Sequence, residues 1–163
     1  MLRNLILVVA LALVIYAADQ VSKYWILSMF DLPARGSVEV LPFFNLTMVW
    51  NTGITFGLFR ADGWLGRLVL DGVALGIVGL LLNWLRQDPS RLVVIAIGLI
   101  AGGAAGNLHD RIAYGAVADF LHFHLYGYSW YVFNVADASI VCGGIAIAAD
   151  ALFQTGAKAT KTP

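Results

Sequence analysis

The chain has 163 residues, 60% of them hydrophobic and only 12% charged, and its formal net charge is zero with histidine neutral. So little charge cannot cover the surface of a soluble domain of this length, and a net charge of zero offers nothing to a nucleic acid. A mean hydropathy of +0.81 points instead to an integral membrane protein, and the length to one compact bundle. The single cysteine, Cys142, excludes an internal disulfide and leaves no cysteine cluster for a metal.

Arg3 followed by the apolar run Leu5–Ala18 has the outline of a secretory signal. Ile15 and Tyr16 occupy positions where a cleavage site needs small residues, so the segment reads as a retained anchor. The run gives about 21 Å of helix at ~1.5 Å per residue, short of a ~30 Å hydrocarbon core, so the helix is expected to continue to about Leu27. Asp19 and Lys23 then lie one turn apart on one face. They form either a plain i,i+4 ion pair or an interior-facing pair supporting a site, and the sequence leaves both open.

Residues 28–63 carry the punctuation of an extramembrane segment: Pro33, Gly36, Pro42 and Asp62-Gly63. Phe44–Trp50 alternates partly at period two, and Asn51-Thr52-Gly53 supplies turn residues before Ile54-Thr55-Phe56, which predicts a small hairpin on the bilayer surface. The second span is expected at about 64–85, with Arg67 and Asp71 spaced i,i+4, followed by a tight turn ended by Pro89. The third, at about 92–108, contains Gly98, Gly102, Gly103 and Gly106, a small-residue groove for close helix approach. The fourth runs over about 132–153, where Gly143 and Gly144 serve the same end.

The fold class is therefore an all-α membrane protein, a four-helix transmembrane bundle in one domain (1–163). A small extramembrane β segment is expected at about 37–60 and a second hairpin at about 114–131. Four spans put both termini on one side. Basic residues are denser near Arg3, Arg86, Arg91, Lys158 and Lys161 than near Lys23, Arg35, Arg60 and Arg111, so the termini are expected in the cytoplasm. Asp19, Asp119 and Asp137 then lie toward the outer face.

Asn134-Val135-Ala136-Asp137 opens the last span, so Asn134 suits its N-cap and Asp137 its third helical position, where the helix dipole favours a carboxylate. Asp119 taken alone reads as a solvated turn residue. Taken together, the two acids sit at span boundaries on one side, joined by an aromatic stretch that can fold back. Carboxylates within hydrogen-bonding reach share a proton: one can activate water while the other polarises a carbonyl and protonates a leaving amine. That is what an aspartic dyad needs for peptide hydrolysis.

Other chemistries find less support. His109, His122 and His124 lack an H-E-x-x-H pattern or a cysteine pair, so no metal is expected, and His122-x-His124 reads as an interfacial polar pair. Ser139 has no nucleophile motif and Cys142 reads as core. No phosphate loop is present and no cofactor is expected. A proton-coupled carrier using Asp19, Asp71 and Asp137 would be favoured by an inverted repeat, and none is seen in the sequence. A non-catalytic lipid-binding scaffold would tolerate loss of either acid.

Asp19-Gln20-Val21-Ser22-Lys23, Asn51-Thr52-Gly53, the run Gly102–Arg111, Val117-Ala118-Asp119-Phe120 and Phe133-Asn134-Val135-Ala136-Asp137 occur in this order. Together they resemble the blocks of the bacterial lipoprotein signal peptidases (signal peptidase II). The resemblance implies an aspartic endopeptidase of the inner membrane that cuts just before a diacylglyceryl-modified Cys of prolipoproteins. It puts the catalytic pair on Asp119 and Asp137, and the support on Asp19, Lys23, Asn51, Gly53, Asn107, Asp110, Arg111 and Asn134. Arg111 and Asn107 would orient the substrate backbone, and Asn134 would hold the dyad or the bound peptide. The implied partners are prolipoprotein substrates, membrane lipids and globomycin-type inhibitors, with the enzyme acting as a monomer. Ile54-Thr55 and Ala138 depart from the family pattern without touching the dyad. Phe43, Phe44, Trp50, Phe56 and Phe59 are lid or anchor candidates, anchoring being the simpler role for most.

Overall fold

The structure, a computed structural model, describes residues 1–53 and 63–159, with side chains as far as Phe153. The expected strand at 54–56, Phe56, Phe59, Arg60, Lys161 and the side chain of Lys158 lie outside the described residues. Helix α1 (Leu2–Tyr24) ends in a π-helical turn (Trp25–Met29), and a short helix α2 (Leu32–Arg35) leads to strands β1 (Ser37–Leu41) and β2 (Phe44–Asn51). Next come α3 (Gly63–Trp84), α4 (Arg91–Tyr114), strands β3 (Val117–Leu125) and β4 (Tyr128–Ser129), and α5 (Val135–Ala159). Among the described residues, four helical stretches are long and apolar enough to cross a membrane: Leu2–Met29, Gly63–Gln87, Arg91–Tyr114 and Val135–Phe153.

Helix α4 is the axis, packed mainly against α5 and α1. The glycines make this possible. A Cβ on Gly102 would meet the Ala12 carbonyl oxygen at 2.7 Å, and one on Gly103 would collide with the Ala136 carbonyl and Ser139 Oγ. Without a hydrophobic drive between helices in lipid, such backbone approach gains the dispersion contacts that hold a bundle together. Partners along α1 and α4 advance together, from Asn4 bonded to Asp88 just before α4, through Gly98 over Leu11, to Lys23 paired with Asp110, so the two run parallel. Helix α5 runs the other way: Ser139 lies by Gly103, Gly143 by Ile100, and Asp150 accepts from Ser90 Oγ. Both ends of the described chain therefore meet at one end of the bundle. Helix α3 has no buried residue, and Gly72, Gly76 and Gly79 face open space.

At the other end lies an antiparallel sheet in the order β1-β2-β3-β4, so the described residues are mostly helical but include four strands. The first hairpin turns at Pro42-Phe43, and Asn51-Thr52-Gly53 serves a different purpose described below. The third span continues past Leu108 to Tyr114, capped by Gly115 at φ 77°. Ile26, Leu32 and Phe120 form a small apolar cluster that seats the sheet on the end of α1. Register pairs Val49 with Asp119 and Asn51 with Val117. Because side chains alternate along a strand, Asn51 is the diagonal neighbour of Asp119 on one face.

Candidate active site

Three buried charges brace the site. Lys23 Nζ lies 2.7 Å from both Asp19 Oδ2 and Asp110 Oδ2, and all three side chains are almost fully buried. The interior-facing reading of Asp19 and Lys23 is the one realised. Asp19 Oδ1 accepts the Ala136 N–H at 2.9 Å, and Asp110 Oδ2 accepts the Ala118 N–H at 3.1 Å. Each captured amide belongs to the residue just before one of the two acids, Asp137 and Asp119. The ion cluster thus fixes both backbone segments from below, and buried charges this well bonded avoid the cost of isolated ones.

Asn134 joins the acids themselves. Its Nδ2 donates to Asp119 Oδ1 at 2.7 Å and to Asn107 Oδ1 at 3.2 Å, while its Oδ1 accepts the Asp137 N–H at 2.8 Å. The last bond is the expected N-cap, with Asp137 in the third helical position. Asn107 Nδ2 donates to Asp137 Oδ1 at 2.8 Å. Asp119 Oδ2 accepts from Asn51 Nδ2 at 3.0 Å, and Gly53 N–H donates back to Asn51 Oδ1 at 2.9 Å, which orients the Asn51 amide. The Asn-Thr-Gly turn is a clamp on Asn51. Asp119, expected as a solvated turn residue when read alone, is a buried strand residue at 1% exposure.

Burial pushes the Asp119 carboxyl up to about 7, reinforced by the neighbouring Asp137 charge and opposed by the Asn51 and Asn134 amides and by Lys23. Asp137 Oδ2 is buried without a partner. Asp137 also lines a cavity of about 370 Å³ walled by Leu70, Val73, Ala74 and Ile77 of α3 and reaching Asn107 and Arg111. Arg111 pairs with Asp71 at 3.2 Å, and its Nε is buried without a partner. The i,i+4 spacing of Arg67 and Asp71 does not produce a pair, since Arg67 Nη1 donates to the Gly115 carbonyl at 3.1 Å.

All ten sequence-derived residues therefore belong to one connected region, although Arg111 is held by Asp71 at its edge. Gln20 is a further member of the network. Its Nε2 reaches Asp19, Asp110 and the Gly106 carbonyl, and its place between Asp19 and Lys23 is the signal that could have found it. His122 bonds Ser129 and approaches Thr47, His109 bonds the Tyr16 hydroxyl, and Ser139 Oγ donates to helix carbonyls. Phe44 packs on Phe123 and Trp50 stands by Tyr114, while Phe43 lines a groove beside Trp130 at the far side of the sheet.

Fold and site together define a multi-pass membrane protein with a buried carboxylate pair between a helix start and a sheet. The sequence profile of the family described as Signal peptidase (SPase) II matches residues 11–153, and the chain belongs to that family. It is a peptidase of bacterial membranes engaged in lipoprotein processing. The lipoprotein signal peptidase of Nitrobacter hamburgensis is 51% identical over 144 residues, 86% of this chain and 88% of that protein. That of Methylobacterium sp. is 51% identical over 142 residues, 87% and 86% of the two chains. A solved bacterial membrane enzyme superposes with a TM-score of 0.81 at 30% identity, covering 96% of this chain and 93% of its own. Membership of this family leaves the carrier and scaffold readings without support.

Proposed function

We propose that the chain is an aspartic endopeptidase that removes the signal peptide from diacylglyceryl-modified prolipoproteins, just before the lipidated Cys, at the outer face of the cytoplasmic membrane. The observation that carries this reading is one amide, Asn134, bonded to Asp119 and capping Asp137, with Asp137 lining a cavity walled by α3.

With Asp119 titrating near 7, its carboxyl is still partly protonated at neutral pH and can share that proton with its neighbour. The ionised member takes a proton from water as its oxygen attacks the scissile carbonyl carbon, and the protonated member donates to the carbonyl oxygen. Collapse of the tetrahedral species breaks the C–N bond, and the departing amine takes its proton from the pair. Arg111 and Asn107 line the cavity, and would there offer N–H donors to a substrate backbone. The α3 wall offers an apolar surface for acyl chains, and globomycin-type inhibitors would occupy the same space. The enzyme acts as a monomer and needs no cofactor. Arg3 and Arg91, at the end away from the acids, favour a cytoplasmic location for that end.

Purified wild-type protein should shorten a diacylated prolipoprotein and leave the non-acylated form intact. Asp119→Asn and Asp137→Asn should each slow cleavage by about 100-fold or more, in line with loss of a general acid or base. Cleavage by either variant at the wild-type rate would refute the dyad. The rate should also decline as pH rises through about 7, where the pair gives up its shared proton.

A further inference from the structure

We propose that the cleft between the starts of α1 and α4, at the end of the bundle opposite the carboxylate pair, binds one acidic phospholipid. The cleft holds about 490 Å³ and has two chemically distinct halves. Arg3 and Arg91 form its polar mouth. Ile6, Leu7, Val94 and Ile95 form an apolar wall that continues into the membrane-facing surface of α1 and α4.

The charge balance identifies the occupant. Among the described residues no carboxylate lies within salt-bridge reach of Arg3 or Arg91; the ion pairs are those of Lys23 and Arg111. The nearby acids have other partners: Asp88 accepts from Asn4 Nδ2 at 3.0 Å and Asp150 from Ser90 Oγ at 2.6 Å. Two guanidinia, one from each of two parallel helices, thus line a shared opening with no carboxylate partner among the described residues. A guanidinium binds phosphate through a planar fork, and basic pockets between transmembrane helices take acidic headgroups. A soluble anion would have no use for the apolar half, whereas a phospholipid fills both halves at once. Its acyl chains would seat on Ile6 and Ile95, and its phosphate would join the first and third spans at their polar ends. This site is separate from the substrate cavity and does not rest on the peptidase mechanism.

The test is native mass spectrometry of the full chain released from bilayers of phosphatidylglycerol and phosphatidylcholine in equal parts. Wild-type protein should retain one phosphatidylglycerol, and Arg3→Gln/Arg91→Gln should bind it about 30-fold more weakly, as expected for two basic side chains near an acidic headgroup. Arg86→Gln removes a charge at the same end but outside the cleft and should retain the lipid. Ile95→Trp keeps both guanidinia but fills the apolar half, and should lose it. Cleavage of prolipoprotein should stay unchanged in all of these variants, a check that each is folded. The proposal fails if phosphatidylcholine is retained equally, if Arg86→Gln loses as much as the double variant, or if Ile95→Trp binds as wild type. Displacement of the lipid by inorganic phosphate at equal concentration would identify a small-anion site and overturn it as well.

Discussion

Replacing Asn134 separates two roles that its amide combines. Asn134→Ala loses the cap on Asp137 and the donor to Asp119, and should lower stability by about 1 kcal/mol for the cap alone. Asn134→Asp keeps an acceptor for the Asp137 N–H but sets a third carboxylate beside Asp119. It should melt closer to wild type than the alanine variant, yet its pH–rate profile should move to higher pH because a further negative charge favours protonation. A wild-type profile for Asn134→Asp would show that the amide is only a cap. Asp119 carries its own signature. Its folded value near 7 lies above the ordinary 3.8, so the folded protein keeps a proton that the unfolded chain releases across that window. The stabilisation is complete below about 4 and is lost as pH rises through 7. Asp119→Asn cannot titrate, so its melting temperature relative to wild type should climb between pH 4 and pH 8. A constant difference would contradict the burial argument.

The helices divide into those that need glycine and one that does not. A Cβ at Gly106 would sit 2.5 Å from Asp19 Oδ2, against the buried ion cluster, so Gly106→Ala should cost about 1–3 kcal/mol, as overpacking does. Gly76 on α3 has nothing near it, so Gly76→Ala should be neutral or slightly stabilising. Melting of the two variants in one detergent is the comparison, and equal losses would refute the packing argument. The small-residue groove was legible in the sequence because its spacing follows the helix. The Asn134 cap was legible for the same reason, being local. Pairings distant in sequence were not. Asn51-Thr52-Gly53 has hairpin chemistry but clamps Asn51 onto a strand from the far side of α3 and α4. The real turn, Pro42-Phe43, hides behind an aromatic residue that turns seldom use. Asp110 and Arg111 looked like the end of a span because they are charged. Lys23 and Asp71 neutralise them, so α4 continues to Tyr114.

Across the whole molecule, α1, α4 and α5 form a tightly seated trio and α3 stands aside from it, with the cavity at Asp137 in the gap. A substrate held by its acyl chains in the bilayer would reach the acids by this route. Ala74→Trp should fill the gap and lower kcat/KM for a diacylated substrate by about tenfold or more, with little change in melting because α3 buries no residue. Unchanged cleavage would place the entry elsewhere.

The Asp19–Lys23–Asp110 cluster also bears on the order of assembly. When α1 first enters the bilayer, its last turn brings two opposite charges and an oxygen with no donor from the rest of the chain. Asp110 arrives with the third span, and the Ala136 amide that satisfies Asp19 arrives only with the fourth. The helix made first is therefore the last to be completed, and during synthesis its polar end depends on water or the insertion machinery.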